Sequence, residues 1–273
     1  LELTGAAIAS VCARIVIAGT ALLPLVRYYN GFDKPSRASL AVDFRPIIAI
    51  AIPAILTQLA TPIGQAYVTR AMAEFGEEAV AGMAIVARMT PVGFGIIFAL
   101  SGAVGPIIGQ NAGAGLHDRV RRAFRDGLLF TAIVVVVVSG LFFLARPGLA
   151  WLFQLEGTAL TLVFLFAGPL SLMFFFNGVI FVANAAFNNL GHPFYSTVVN
   201  WGRHTLGTIP FVLLGAAWYG APGVLIGQFL GGAVFAMLAV ILAWRVMEMK
   251  GADDGAEPFA RQARLFSLLH HRR

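Results

Sequence analysis

Charge is scarce in this sequence. Only 12% of its 273 residues are Asp, Glu, Lys or Arg, roughly half the share in an ordinary soluble domain. With 59% hydrophobic residues and a mean hydropathy of +0.82, the chain holds more apolar surface than one water-soluble core of this length can hide. Cysteine is nearly absent as well. Cys12 stands alone in an apolar run, which excludes an internal disulfide and a cysteine-built metal centre. The sequence has no HExxH, no GxSxG, no phosphate-binding P-loop and no paired carboxylates inside an apolar run, so neither catalysis nor a bound cofactor is expected. His117, His192, His204, His270 and His271 lack metal-ligand spacing and read as loop, interface or tail residues.

What the chain has instead is a series of apolar stretches, each long enough to cross a bilayer as a helix of about 20 residues. They cover roughly 4–26, 46–72, 78–112, 123–145, 158–188, 193–215 and 221–245. Lipid satisfies no backbone group, and the alternating pattern of a barrel strand is missing, so helix is the expected form. The fold class read from this pattern is all-α, a polytopic membrane bundle of about seven helices. The 30 glycines and 13 prolines agree with it, since both are commoner in membrane helices than in soluble ones. Three stretches exceed the crossing length, which predicts tilt, kinks or projection beyond the bilayer.

The net charge of +6 and the pI near 10.1 come from arginines and lysines in the connections. That placement reads as membrane orientation and not as a nucleic-acid surface. One side carries Arg27, Lys34, Arg37 and Arg45, then Arg119, Arg121, Arg122 and Arg125, then Arg245, Lys250, Arg261, Arg264, Arg272 and Arg273. The other side has Arg70 and Arg146, with Glu74 and Glu77 nearby. The positive-inside rule then puts Leu1 outside and Arg273 in the cytoplasm, in a multi-pass protein of the plasma (inner) membrane. Beyond Glu248 the tail turns polar and then places Phe259, Leu265, Phe266, Leu268 and Leu269 among arginines. It reads either as a helix lying on the membrane surface or as a frayed, solvated end.

The chain starts at Leu1 and not at Met, which points to a partial chain. An internal repeat agrees. When Thr4 is aligned with Pro222, Gly5 meets Gly223, Ile8 meets Ile226, Val16 meets Val234, Ala18 meets Ala236 and Arg27 meets Arg245. Both copies end at an arginine on the same side, as parallel repeats about an axis along the membrane normal do. The first span is then expected to be the last helix of a preceding half.

Charge inside a membrane is costly and usually functional. Arg14, Arg88 and Arg203 each fall about 15 Å into a span at 1.5 Å per residue. All thirteen Asp and Glu lie in loops, at span ends or in the tail, so these arginines have no acid at their own depth. They either cap carbonyls or snorkel, or they meet a missing half, lipid headgroups or an anionic ligand group. Gln58 and Gln65 share one helix face, as do Asn177, Asn184 and Asn188. Such stripes either glue helices, at about 0.6 kcal/mol per bond, or line a water-filled cavity. Pro53, Pro62, Pro91, Pro106, Pro169 and Pro210 lie inside spans, where each removes a backbone hydrogen bond and bends its helix.

Two segments carry a family resemblance. The run Pro106-Ile-Ile-Gly109-Gln110-Asn111-Ala-Gly113-Ala-Gly115, followed by Arg119, Arg121 and Arg122, is similar to one signature of the MATE (multidrug and toxic compound extrusion) transporters. Ala186-Phe-Asn188-Asn-Leu-Gly191-His-Pro193, with Arg203 in the next span, resembles a second. The resemblance implies two six-helix lobes facing each other in a V. Residues 1–26 are then the last helix of a missing N-terminal lobe, 27–45 a cytoplasmic inter-lobe loop, 46–247 the C-terminal lobe and 248–273 a cytoplasmic tail. It also implies export of organic cations, drugs or metabolites against inward proton or, less favoured, sodium flow.

One branch of the family has a glutamate in the seventh span and an aspartate in the tenth. The aligned positions here are Thr61 (or its neighbour Ala60) and Asn177, which neither take up a proton nor bring a negative charge to sodium. Cation coupling is therefore expected outside this lobe. The residues expected to line the substrate cavity are Gln58, Gln65, Arg88, Asn177, Asn184 and Arg203. Two rival readings are a flippase for lipid-linked sugars, whose pyrophosphate suits the arginines, and a non-transporting membrane module.

Overall fold

Apolar runs of this length bury their backbone polar groups by coiling, and the computed structural model, which describes residues 2–28 and 37–252, is helical between short turns. The helices are α1 (Glu2–Arg27), α2 (Arg37–Ala73), α3 (Glu77–Gly113), α4 (His117–Leu152), α5 (Gly157–Leu165), α6 (Ser171–Asn189), α7 (Pro193–His204) and α8 (Ile209–Ala252). A π-helical turn, Phe166–Leu170, joins α5 to α6 as one span. No strand occurs among the described residues. The chain divides into two compact units, residues 1–49 with α1 and residues 50–273 with α2 from Ile50 onward through α8.

Five helical stretches among the described residues are long and apolar enough to cross a membrane: Ile8–Arg27, Glu77–Gly113, His117–Leu152, Gly157–Asn189 and Pro193–Met249. The last supplies two passes, because α8 folds back on itself at Gly220, whose φ of 63° and ψ of −140° leave the helix. This is a multi-pass membrane protein. Its outer surface suits lipid: Val92, Leu144 and Leu206 are all more than 70% exposed. Trp151, Trp218 and Tyr219 are exposed near the turns where arginine is scarce, as the aromatic belt of a membrane interface requires.

The α8 hairpin is built by small residues. Its two arms, 209–219 and 221–252, touch backbone to backbone at pairs equidistant from Tyr219. A methyl group on Gly223 would lie 1.9 Å from the Gly215 carbonyl oxygen, and one on Gly227 2.2 Å from that of Phe211. One on Gly231 would lie 1.3 Å from the carbonyl oxygen of Gly207, just before α8. Spacing of four puts Gly223, Gly227 and Gly231 on one face, and close approach of this kind drives helix association where lipid is as apolar as leucine.

Three irregularities shape the bundle. In α3, Phe94 leaves helical geometry (φ −104°, ψ 16°) three residues after Pro91, which has no N–H for the Ala87 carbonyl. Phe94 stacks on Phe174 of α6 at 4.0 Å between ring centres and meets Phe142 of α4 edge-on at 5.9 Å. The kink thus sits in an aromatic core instead of facing lipid. The second irregularity is Gly168 in the π turn before Pro169 (φ −115°, ψ −114°). Here Arg146 of α4 donates from Nη2 to the Phe164 carbonyl, with its guanidinium carbon 4.5 Å from the Phe143 ring centre. Arg146 therefore satisfies a carbonyl at a broken helix, the carbonyl-capping role weighed for the intramembrane arginines.

The third irregularity was not legible in the sequence. The stretch 193–215 forms no single helix, because Thr205–Thr208 interrupt it between α7 and α8. The side chains at the break stitch it: Thr205 Oγ1 donates to the Trp201 carbonyl at 2.7 Å and Thr208 Oγ1 to that of Arg203 at 2.8 Å. Two other bounds also differ. Helix α2 starts at Arg37, inside the expected 27–45 loop, and α4 begins at His117, which brings Arg119, Arg121, Arg122 and Arg125 onto its first turns. The amphipathic stretch expected near the C-terminus lies outside the described residues.

Candidate functional site

The break after α7 places polar groups where five helices meet. Helix α7 docks on α2 through Thr197 Oγ1, which donates to the Pro53 carbonyl at 2.9 Å, and Trp201 Nε1, which donates to that of Leu56 at 2.9 Å. One turn on, His204 packs against Gly64, so close that a methyl there would sit 2.3 Å from Nδ1. This docking turns Arg203 inward, where it is only 7% exposed.

Arg203 donates to Asn177 Oδ1 of α6 and, at 2.7 Å, to His204 Nε2. A guanidinium has no acceptor, so Nε2 must accept, and the proton of the His204 ring is on Nδ1. Among the described residues the buried Nε hydrogen of Arg203 has no partner. A cavity of about 100 Å³ opens beside this trio, bounded by Gln65 of α2, Ala87 and Thr90 of α3, Phe174 of α6 and Gln228 of α8. No carboxylate is among its described lining residues. That volume holds a few waters or one small polar group at about 30 Å³ per water.

Of the six residues expected to line a cavity, Gln65, Asn177 and Arg203 come together here. Gln58 and Arg88 are exposed. Asn184 is half-buried, and its Oδ1 has no hydrogen-bond partner. Gln58 and Asn184 share a face with Gln65 and Asn177 but sit seven residues away, about 10 Å along the axis, above or below the cavity. Arg14 is exposed on α1. His204, expected as a loop, interface or tail residue, is buried between α7 and α2 beside Arg203. Gln228 and Thr90 carried no sequence signal, since only the bundle brings them to the site.

The residues that carried the family resemblance form two turns at the arginine-rich end. Helix α3 ends with Gly115 at φ +70°, where the Leu116 amide reaches the Asn111 carbonyl at 2.9 Å and the Gly115 amide that of Ala112 at 3.1 Å. This is the paired-bond glycine stop of a helix. Helix α6 also ends before a glycine in the left-handed region, Gly191 (φ +86°), with the His192 amide on the Phe187 carbonyl at 2.8 Å and Pro193 opening α7. Asn188 accepts from Ser196 Oγ at 3.1 Å across this turn. Gly109 leaves room for Asn189, whose Oδ1 would lie 3.2 Å from a methyl there. Gln110 is exposed, as is Gly113 at the last position of α3, while Asn111 donates back to the Ile107 carbonyl at 2.8 Å. The glycine, asparagine and proline positions of the two signatures therefore stop, turn and pack helices, while Arg203, which follows the second, lines the cavity.

Comparison with known proteins agrees with this architecture. The MatE family model matches residues 53–214. An uncharacterized 21 kDa protein in the iaaL 5′ region of Pseudomonas savastanoi is 37% identical over 213 residues, 76% of this chain and 68% of that one. A FAD transporter of Shewanella oneidensis is 27% identical over 254 residues, 91% of this chain and 55% of that protein. Among solved structures, the Vibrio cholerae MATE transporter VcmN in its bent form superposes with a TM-score of 0.77 at 22% identity, covering 91% of this chain and 57% of VcmN. The chain thus spans little more than half the length of these two transporters.

Proposed function

This chain belongs to the MatE family, and from that premise we propose that it is the C-terminal part of a secondary active exporter of drugs or metabolites, driven by inward proton flow. In this reading residues 46–247 form the second lobe, 1–26 the last helix of the first, and the cavity beside Arg203 belongs to the wall that faces the transport path. The observation that carries the reading is the broken span. Thr205–Thr208 interrupt a membrane helix beside a buried arginine and an internal cavity, and discontinuous helices are how transporters build binding sites at mid-membrane. Asn177 stands where a carboxylate would be needed for proton uptake in this lobe, so coupling is assigned to the other lobe. Protonation there would bias inward- and outward-open states. Flux in vesicles containing the full-length protein tests the proposal. Export that ceases when the pH gradient is collapsed supports it, and export indifferent to the gradient contradicts it.

A second reading replaces the cationic cargo with an anionic one, such as a lipid-linked sugar or another phosphate-bearing molecule. The cavity favours it, having an arginine and no carboxylate among its lining residues. The relative that transports FAD, a pyrophosphate, lends it weight.

A further inference from the structure

We propose that the cavity beside Arg203 is an oxyanion site, taking a carboxylate or phosphate group in contact with the Arg203 guanidinium and the side-chain amides of Gln65 and Gln228. The inference deepens the anionic-cargo reading by naming the contact, and rests on it only for what molecule bears the oxyanion.

Charge is the first ground. Arg203 is buried, and its two hydrogen-bond partners, Asn177 Oδ1 and His204 Nε2, are both neutral acceptors. Among the described residues no carboxylate pairs with it; the ion pair between Arg121 and Asp118, at 3.3 Å, lies on the exposed start of α4. A guanidinium stays protonated in proteins, and an isolated buried charge is costly unless a counter-charge joins it. The cavity supplies the room for one.

Donor supply is the second ground. Arg203 Nε has a hydrogen and no acceptor. Gln65 and Gln228 line the same cavity from α2 and α8, and neither amide is engaged by another described residue. The hydroxyls there are spent, Thr90 on the Val86 carbonyl at 2.9 Å and Thr208 on that of Arg203. A guanidinium N–H with amide N–H groups from other helices matches a group with two or more oxygens. A cation would find no carboxylate among the described lining residues. The volume of about 100 Å³ admits a carboxylate or phosphate head but not a whole drug-sized molecule, so the rest of the cargo would extend from the cavity.

Thermal unfolding of the purified full-length protein in detergent tests this, with sodium acetate, inorganic phosphate and tetraethylammonium chloride titrated at constant ionic strength. Acetate or phosphate should raise the wild-type melting temperature saturably; acetate alone assigns a carboxylate, phosphate alone a phosphate. Asn177→Asp puts a carboxylate on Arg203 from within. It should melt at or above wild type without oxyanion and need about tenfold or more oxyanion for half-saturation. Arg203→Gln should abolish the shift, and Asn177→Asp keeps the test sound if that variant does not fold. The proposal is overturned if oxyanions shift wild type and Asn177→Asp equally, if they shift neither, or if tetraethylammonium alone shifts wild type saturably. Because no flux is measured, failure of oxyanion binding is distinct from failure of gradient-driven export.

Discussion

Arg203 on α7 and Asn177 on α6 are joined by a hydrogen bond from the guanidinium to the amide oxygen, across 26 residues of sequence. The bond ties two helices at the level of the α7–α8 break. Removing its acceptor leaves a buried guanidinium N–H unsatisfied. Asn177→Ala should therefore lower stability by about 1.5–3 kcal/mol, the range for hydrogen bonds to charged groups. Denaturation in mild detergent reads this, and an unchanged midpoint would show that water replaces the amide.

The glycine hairpin makes a sharper stability prediction. A methyl on Gly231 has the Gly207 carbonyl oxygen 1.3 Å away, whereas one on Gly232 meets nothing within 4 Å. Gly231→Ala should cost about 1–3 kcal/mol, as overpacking does. Gly232→Ala should cost almost nothing, because that position faces the open cavity. Melting temperatures of the two neighbours, measured side by side, check the hairpin register.

Arg146 and Gly168 should be coupled. A methyl on Gly168 would lie 1.7 Å from Arg146 Nη2, so Gly168→Ala displaces the guanidinium from the Phe164 carbonyl. Gly168→Ala should destabilise strongly on its own and far less in an Arg146→Ala background. The coupling energy expected for such neighbours is about 0.5–3 kcal/mol. A double-mutant cycle on thermal unfolding measures it, and strict additivity would mean the side chain moves aside freely.

At the arginine-poor end, Glu78 of α3 accepts the Thr158 backbone amide at 3.1 Å and so caps the start of α5. Glu78→Ala should cost about 0.5–2 kcal/mol, as loss of a helix cap does. Hydrogen exchange at Thr158 and its neighbours should rise in the variant, and unchanged exchange would show that the cap is idle.

What the sequence made legible divides along physical lines. A helix crossing a bilayer announces itself by apolar length alone, so the long apolar helices were readable. Arg203 was readable too, because a cation in the middle of an apolar run is rare. The break at Thr205–Thr208 was not, since its residues are apolar or weakly polar and helices in lipid carry both. Gln65 and Gln58 looked equivalent because periodicity fixes a face and not a depth. His204, Gln228 and Thr90 reach the site only through contacts between helices distant in sequence, which no local pattern encodes.

The central claim is that the lobe built around Arg203 serves gradient-driven export. It is tested most directly by efflux from vesicles containing the full-length protein, comparing wild type with Arg203→Gln, with the pH gradient imposed and then collapsed. The account predicts wild-type flux that disappears on collapse and an Arg203→Gln flux at least about tenfold lower, the loss expected for one charge-assisted contact. Equal fluxes in the two proteins, or wild-type flux that survives collapse of the gradient, would contradict it.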